Sequence, residues 1–284
     1  MKTNSLLNRD LFRMIFSLAK IQPWLAEKAN EVEHLLMNDC ENSDEQTLIL
    51  NLLNRFKYIT NKNFTELLKE IVSSITNEKK YEASNTIIAA TTIDGSADSA
   101  QYVIYAMKPF FQIFGWDRTK LINNVNKIVR EFPEYKNVVY VDEFIGSGQT
   151  MLNRVNKLKR DLLDKKINEY SIRIYSIAAC ETGSQVLKKE GIELFCNIIL
   201  PKGISDHYKE NKEEKIDLMR RLESLLLPEY EGKPMPSMGY GGVEALYARE
   251  DGNTPNSVFP VFWWPYYADE NKRPTILIRL MGEI

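Results

Sequence analysis

The sequence predicts an α/β protein: a mostly parallel sheet flanked by helices, with an all-helical N-terminal region before it and a C-terminal cap after it. Two observations carry this prediction. The apolar residues of the first quarter of the chain recur with the period of a helix. From residue 84 onward, short apolar runs alternate with Gly- and Ser-rich turns and helical stretches, which is typical of parallel sheets in α/β folds.

Residues 1–80 are the predicted helical region. Its clearest signal is a row of apolar residues on one helix face: Phe64, Leu67, Leu68, Ile71, Val72 and Ile75. Asn63 with Glu66, and Ser43 with Gln46, have the spacing of capping boxes. We therefore expect helices that begin at these two places.

Residues 84–284 are the predicted α/β domain. Its strand–turn–helix units begin with four apolar runs: Thr86–Ile93, Val138–Val141, Ile172–Ala179 and Leu194–Leu200. Ligands of such sheets bind outside the carboxyl ends of the strands. The loops that follow these four strands are therefore the predicted location of a functional site.

Residues 237–284 are the predicted cap over one sheet edge. This segment is rich in Gly, Pro and aromatic residues, with strand-like pieces at Val243–Ala248 and Thr275–Leu280. Trp263 and Trp264 lie here, and either packing in a core or stacking on a base would account for them.

The composition excludes several function classes. With 37 basic and 39 acidic residues the net charge is −2, so no overall positive field attracts nucleic acid or anionic lipid, and a nucleic-acid partner stays an open alternative. The 3 cysteines suggest no disulfide framework or zinc site. His34 and His207 lie far apart in sequence, which disfavours His-based metal sites and catalytic triads, and we expect both to be surface or packing residues.

No segment predicts a membrane span. The N-terminus lacks a long uncharged apolar run, and the charge-free stretch Ser257–Ala268 is too short to cross a bilayer. We expect a cytoplasmic protein.

The most informative segment is VVYVDEFIGSGQTM, Val138–Met151: a buried strand, two acids, two apolar residues, a Gly-Ser-Gly turn and a helix start. Backbone N–H groups at the start of a helix have no carbonyl partners, and glycines let a phosphate approach them. Ser147 and Thr150 add hydroxyl donors. Since carboxylates repel phosphate, Asp142 and Glu143 must face ribose hydroxyls or a divalent metal. The segment therefore predicts a ribose 5-phosphate site.

Three other interpretations of the Val138–Met151 segment compete with this one. A Gly-Ser-Gly turn can simply join a strand to a helix, although this leaves the acid pair without a purpose. A P-loop needs a lysine where Gln149 stands. A dinucleotide fingerprint needs a third glycine where Met151 stands and an acid about 20 residues on. Glu181 lies farther along, at a strand end, and keeps dinucleotide binding as a minor alternative.

The segment resembles the phosphoribosyltransferase motif. Five residues match that motif in register: Asp142, Glu143, Ser147, Gly148 and Thr150. Gly146 stands where the motif usually has a hydroxyl residue. The FIGSGQT wording, with the segment TPNSVFPVFWWP at Thr254–Pro265, is similar to the divergent PRTase-CE group, which occurs in bacterial conflict and antiviral gene cassettes.

This resemblance implies a type I phosphoribosyltransferase fold that binds phosphoribosyl pyrophosphate with Mg²⁺. Asp142 and Glu143 would be the catalytic acids that hold the ribose hydroxyls. The residues implied for the 5-phosphate are Gly146, Ser147, Gly148, Gln149 and Thr150.

The family also has a pyrophosphate loop after the first strand of its core. The matching segment here is Asp94, Gly95, Ser96, Ala97, Asp98 and Ser99, which has two acids and no Arg or Lys. Either Mg²⁺ mediates the contact through Asp94 and Asp98, or the loop serves another ligand. Lys202 and Arg249 are the basic residues expected to lean toward such a ligand.

Three functional hypotheses follow. The first is an enzyme that transfers or hydrolyses at the anomeric carbon of phosphoribosyl pyrophosphate or a related nucleotide, serving antiviral defence if the subgroup resemblance holds. The second is an inactive phosphoribosyl sensor whose N-terminal helices dock a partner, either a protein of the defence cassette or nucleic acid. The third is a scaffold with a vestigial pocket.

Overall fold

A computed structural model describes residues 9–92 and 99–283 of the chain. The helices are α1 Arg9–Ile21, α2 Ala29–His34, α3 Ser43–Asn54, α4 Asn61–Thr76, α5 Ser99–Ile113, α6 Gln149–Asp164, α7 Glu181–Lys189 and α8 Lys212–Glu223. The strands are β1 Lys57–Ile59, β2 Thr86–Ala90, β3 Lys120–Ile122, β4 Asn137–Ile145, β5 Ser171–Cys180, β6 Glu193–Leu200, β7 Glu229–Tyr230, β8 Lys233–Pro234 and β9 Tyr247–Arg249. Among the described residues, no helix combines the length and the apolar character that a bilayer crossing requires.

The chain divides into two compact units. One spans Asn61–Pro201, and the other joins the chain up to Thr60 to the chain from Lys202 onward. Helix α4 falls in the predicted N-terminal helical region, yet it belongs to the first unit, where it packs on α5 and β5. The chain thus divides into units at residues 60 and 201, whereas the sequence predicted boundaries near residues 80 and 237. These boundaries of the family domain and its cap remain predictions.

The unit Asn61–Pro201 contains a five-stranded parallel sheet in the order β3-β2-β4-β5-β6. Its central strands are nearly continuous apolar runs because helices cover both faces of the sheet. This confirms the predicted fold class. The edge strand β3 was not predicted, since a three-residue strand carries too little pattern to detect.

Strand β4 is longer than predicted. The prediction ended it at Val141, but pairing with β5 continues through Phe144 and Ile145. The acids therefore lie inside the strand rather than in the loop after it. The cause is the apolar pair Phe144 and Ile145, which keeps the chain extended against Ala178 and Ala179 of β5.

Two helix starts differ from the predicted capping boxes. The N-cap of α3 is Asn42, whose side chain accepts from the N–H groups of Asp44 and Glu45, so Ser43 is the first helical residue. Helix α4 begins at Asn61 rather than near Asn63.

The second unit combines the N-terminal helices with the C-terminal segment. Strand β1 pairs in parallel with β9, so only the end of the predicted strand Val243–Ala248 is a strand, and Thr275–Leu280 contains none. Trp263 and Trp264 are both buried, and the Trp263 indole donates to the carbonyl of Val258 at 2.9 Å. These tryptophans pack in a core, the first of the two roles considered for them. The cap over a sheet edge stays a prediction.

A buried ion pair lies in this second unit. Asp39 is 4% exposed and Arg273 is 5% exposed. The Arg273 Nε donates to Asp39 Oδ2 at 2.8 Å, and the Tyr267 hydroxyl donates to Asp39 Oδ1 at 2.7 Å. Burial, reinforced by Asp39, raises the pKa of Tyr267 to about 12, so this hydroxyl keeps its proton. His34 Nε2 lies 2.6 Å from the same hydroxyl, as expected for a satisfied packing histidine.

The three cysteines are free thiols with little reactivity. Burial raises the pKa of Cys40 and of Cys180 to about 12, and that of Cys196 to about 11. Because the thiolate is the reactive form, we expect a disulfide reagent at neutral pH to modify the buried Cys40 and Cys180 only as fast as the native protein opens, whereas Cys196 is partly exposed. Protein unfolded in guanidinium should release all three equivalents at once. Rapid modification of Cys40 or Cys180 in the native protein would contradict the burial described here.

Candidate functional site

The carboxyl end of β4 leads through a tight turn directly into α6. Gly148 has φ 77°, in the left-handed region that glycine adopts readily, and is the N-cap of α6. The first helical hydrogen bond runs from the Leu152 N–H to the Gly148 carbonyl at 2.9 Å. The chain thus turns within three residues and begins α6 at the carboxyl-terminal end of β4.

Several backbone N–H groups of this turn have no acceptor among the described residues. The N–H groups of Ser147, Gly148, Thr150 and Met151 donate to no other described residue, while the Gln149 N–H lies 3.4 Å from Ser147 Oγ. Ser147 is half-buried and Thr150 is exposed, so solvent reaches the outer part of the turn. Unfilled N–H groups at a helix N-terminus favour an anion, which the helix dipole reinforces.

Glycines at two places let the turn pack closely on α7. A Cβ atom at Gly183 would lie 2.3 Å from the Gly146 carbonyl oxygen and 2.9 Å from the Gly148 nitrogen. A Cβ atom at Gly148 would lie 2.8 Å from the Gly183 carbonyl oxygen. The first turn of α7 therefore supports the Gly146–Gly148 backbone from behind.

Sequence reasoning assigned the glycines of the turn to ligand approach and overlooked Gly183. The sequence predicted the ETGS segment as a turn before a short helix, whereas the segment forms the first turn of α7, where alanine would be a better helix former than Gly183. A glycine in such a position indicates close packing of another backbone.

Asp142 joins two of the predicted loops. Its Oδ2 accepts from Thr91 Oγ1 at 3.4 Å, and its Oδ1 accepts from Ser99 Oγ at 3.3 Å and from the Glu143 N–H at 2.8 Å. Thr91 follows β2, and Ser99 is the first residue of α5. The structure thus brings the flanks of the predicted pyrophosphate loop to the half-buried Asp142 carboxylate. The loop's own predicted ligands, Asp94, Gly95, Ser96 and Asp98, lie outside the described residues.

Glu143 has a different environment. It is 4% exposed, whereas Asp142 is half-buried. Successive residues of a strand point to opposite faces of the sheet, so the two carboxylates start from opposite sides of β4. The prediction that both acids hold one ribose stays a prediction, and Asp142 is the better placed of the two.

Arg154 is a further residue of this site that sequence reasoning missed. Its Nε donates to the Thr91 carbonyl at 2.9 Å, which ties α6 to the end of β2. The signal was its position four residues after Thr150, on the same face of the helix. Arg154 therefore positions the chain that leads into the predicted pyrophosphate loop.

The predicted basic contacts belong to the second unit. The Lys202 N–H donates to Asp206 Oδ2 at 2.7 Å, and Arg249, at the end of β9, donates to the Glu250 carbonyl at 3.2 Å. Their roles toward a ligand stay predictions.

A five-stranded parallel sheet flanked by helices, whose central strand leads through a Gly-Ser-Gly turn into a helix, is the fold of a phosphoribosyltransferase-like protein. The chain matches the PRTase-CE family model over residues 34–272 and belongs to that family. This confirms the resemblance drawn from the motif.

Solved structures with a similar fold include several phosphoribosyltransferases. The Helicobacter pylori xanthine-guanine-hypoxanthine enzyme is 11% identical, with 51% of this chain and 83% of that chain covered and a TM-score of 0.33. The Schistosoma mansoni hypoxanthine-guanine enzyme in complex with IMP is 14% identical, with 51% and 68% covered and a TM-score of 0.35. The Aeropyrum pernix orotate enzyme is 14% identical, with 49% and 70% covered and a TM-score of 0.31. No curated protein sequence matches the chain.

Proposed function

We propose that this protein binds the phosphoribosyl group of phosphoribosyl pyrophosphate, or of a related nucleotide, at the carboxyl ends of β2 and β4. The observation that carries the proposal is the position of Asp142. Its carboxylate lies within hydrogen-bond distance of Thr91 and Ser99, and Asp142 lies four residues before Gly146, where the turn begins whose helix-opening N–H groups donate to no described residue. Sugar and phosphate contacts therefore lie on adjoining parts of one strand–turn–helix unit.

The 5-phosphate would bind at the turn from Gly146 to Thr150. Backbone N–H groups of the turn and the hydroxyls of Ser147 and Thr150 supply the donors. Hydrogen bonds to a charged group contribute roughly 1.5–3 kcal/mol each, so three or four would hold a phosphate monoester firmly.

Asp142 would accept hydrogen bonds from the ribose hydroxyls. A ligand hydroxyl would replace the long contacts from Thr91 and Ser99, at 3.4 and 3.3 Å, which are weaker than ordinary O–H···O bonds. Glu143 would serve as the second ribose contact, as its position in the motif implies.

The proposed reaction is displacement at the anomeric carbon. The bond from that carbon to a pyrophosphate oxygen breaks and its electron pair leaves with pyrophosphate. A base nitrogen or water forms the new bond, and the proton that it loses goes to solvent. Positive charge develops on the sugar ring, so Asp142 stabilises it while the turn fixes the phosphate end. Positioning and charge account for catalysis without a strong general base.

Mg²⁺ is compatible with the side chains at this place. Among the described residues, no group of three or more His, Cys, Asp or Glu side chains gathers around a metal position. Mg²⁺ in phosphate sites is held largely by substrate oxygens and water with one or two carboxylates, a role that Asp142 fits. Bound there with pyrophosphate, Mg²⁺ would neutralise the negative charge of the leaving group.

Within this proposal, the reaction serves antiviral defence by consuming or modifying nucleotides. Its support is membership of the PRTase-CE family, and the resemblance to that family implies a place in bacterial conflict cassettes.

A nucleotide sensor is the second candidate. The predicted pyrophosphate loop has two acids and neither Arg nor Lys, which favours binding of a less charged ligand without pyrophosphate release. Calorimetry with phosphoribosyl pyrophosphate and Mg²⁺, followed by a pyrophosphate assay, separates the two. Binding with release supports the enzyme, whereas binding without release supports the sensor.

Asp142→Asn should weaken phosphoribosyl pyrophosphate binding at least about tenfold, because the amide loses the charge that attracts ribose hydroxyls. The melting temperature should hardly change, since asparagine keeps an acceptor for Thr91 or Ser99. Titration calorimetry measures the affinity. The matched control is Asp164→Asn at the far end of α6, which should bind like the unchanged protein. Equal affinity of Asp142→Asn and Asp164→Asn would refute the ribose role of Asp142.

A further inference from the structure

Strand β6 forms an edge of the five-stranded sheet. Within residues 9–92 and 99–283, only β5 pairs with it. Its sequence, ELFCNIIL, has one charged residue, at its first position, and no Lys or Pro. Natural edge strands are usually protected by charges, prolines or bulges, because their unpaired N–H and C=O groups invite pairing with another strand.

Apolar side chains accompany the unpaired backbone. Phe195 is 37% exposed and Ile199 is 48% exposed. Being four residues apart, they lie on the same face of the strand. An eight-residue edge with two exposed apolar side chains is typical of an interaction surface.

A groove runs beside the first half of β6. Its volume is about 630 Å³, and it is lined by Leu194 and Phe195 of β6, Ser74 of α4, Glu78 just after α4, and Ser184 and Lys188 of α7. Arg173, also in the groove, is paired with Glu78 and Glu193. Glu78 and Glu193 are therefore both paired with a cation.

The sequence of β6 is complementary to itself. If two copies of β6 pair antiparallel about Asn197, residues whose numbers are equally far from 197 lie opposite each other. Phe195 then faces Ile199 of the second copy, Cys196 faces Ile198, and Leu194 faces Leu200. Residues directly opposite in an antiparallel pair share a face, as this register requires.

Within the two strands themselves, no like charges meet in this register. The one charged residue, Glu193, lies opposite Pro201 of the second copy. The exposed Glu70 of α4 lies near the axis, since its Oε2 accepts from Asn197 Nδ2 at 2.9 Å. The end of the second strand, with Ile199 and Leu200, would lie beside Leu194 and Phe195 and so enter the groove. This pattern favours a second copy over an unrelated strand.

We propose that the protein forms a two-fold symmetric dimer through antiparallel pairing of β6 about Asn197, which joins the two sheets into one of ten strands. This inference is independent of the phosphoribosyl site, because it uses only the outer edge of β6.

The first test is the mass of the protein in solution. Light scattering on eluting protein should give twice the chain mass of 33.0 kDa. Ile199→Lys should give the single-chain mass, because the two-fold axis places each lysine against Phe195 of the other copy. The exposed position lets the lysine reach solvent in the monomer, so the melting temperature of the dissociated chain should show that it is folded.

The control for this variant is Ile113→Lys on α5, whose parent side chain is 66% exposed and lies away from β6 in sequence. It should remain a dimer. A single-chain mass for the unchanged protein, or a dimer that survives Ile199→Lys, would overturn the proposal.

The second test fixes the register. Asn197→Cys places a thiol opposite the same thiol of the second copy. The two Cα atoms are then about 4.5–5.5 Å apart, a separation that a disulfide bridges. Mild oxidation should give a covalent dimer on a non-reducing gel. Ile199→Cys should not cross-link, since the two thiols would be four residues out of register. The unchanged protein measures any cross-linking through Cys196, whose pKa is about 11. Efficient cross-linking of Ile199→Cys without Asn197→Cys would exclude this register.

Discussion

Gly183→Ala is expected to destabilise the protein by about 1–3 kcal/mol. Gly to Ala near the start of a helix normally stabilises it by roughly 0.5–1 kcal/mol, so here the sign is reversed. The reason is that a Cβ atom would lie 2.3 Å from the Gly146 carbonyl oxygen, and neither backbone can move without shifting the turn. Urea denaturation measures the change.

The same variant should weaken phosphoribosyl pyrophosphate binding by roughly 10- to 100-fold, because the displaced turn carries the proposed phosphate donors. Ser184→Ala, at the next position of α7, is the control and should leave both stability and affinity close to those of the unchanged protein. A Gly183→Ala protein that gains stability would show that the contact between α7 and the turn is absent.

Arg273→Met should cost about 3–5 kcal/mol of unfolding free energy, because it leaves the Asp39 carboxylate buried without its cation. The variant also loses the hydrogen bond from Arg273 Nη2 to the Val261 carbonyl, at 2.8 Å. Urea denaturation again gives the free energy.

Two comparisons make this second prediction specific. The double variant Asp39→Leu with Arg273→Met should recover part of the loss, since it removes the uncompensated charge. Lys136→Met breaks the exposed pair with Glu169 and should leave the unfolding midpoint nearly unchanged. If Arg273→Met were as mild as Lys136→Met, the pair would be solvated rather than buried.

The sequence was sufficient to predict the parallel sheet. Each central strand is an apolar run that ends in a Gly- or Ser-rich turn, and these local signals have only one common arrangement. The turn at Gly146–Gly148 was predictable for the same reason, because its residues and its helix are contiguous in the chain.

The gathering of the loops after β2 and β4 was predicted, but the individual contacts between them were not predictable. Nothing near Thr91 or Ser99 in sequence indicates that their hydroxyls lie within hydrogen-bond distance of Asp142. The pairing of β1 with β9 likewise joins short strands from opposite ends of the chain, each too brief to show a period. The length of β4 was misjudged because the adjacent acids Asp142 and Glu143 were read as loop residues, although they lie inside the strand.

The most direct test of the phosphoribosyl site is a crystal structure of the protein with a bound nucleoside 5′-monophosphate. We expect electron density for the phosphate against the N–H groups of Ser147 to Met151 and a ribose hydroxyl on the Asp142 carboxylate. A nucleotide that binds elsewhere, or a phosphate that leaves these N–H groups untouched, would contradict this expectation.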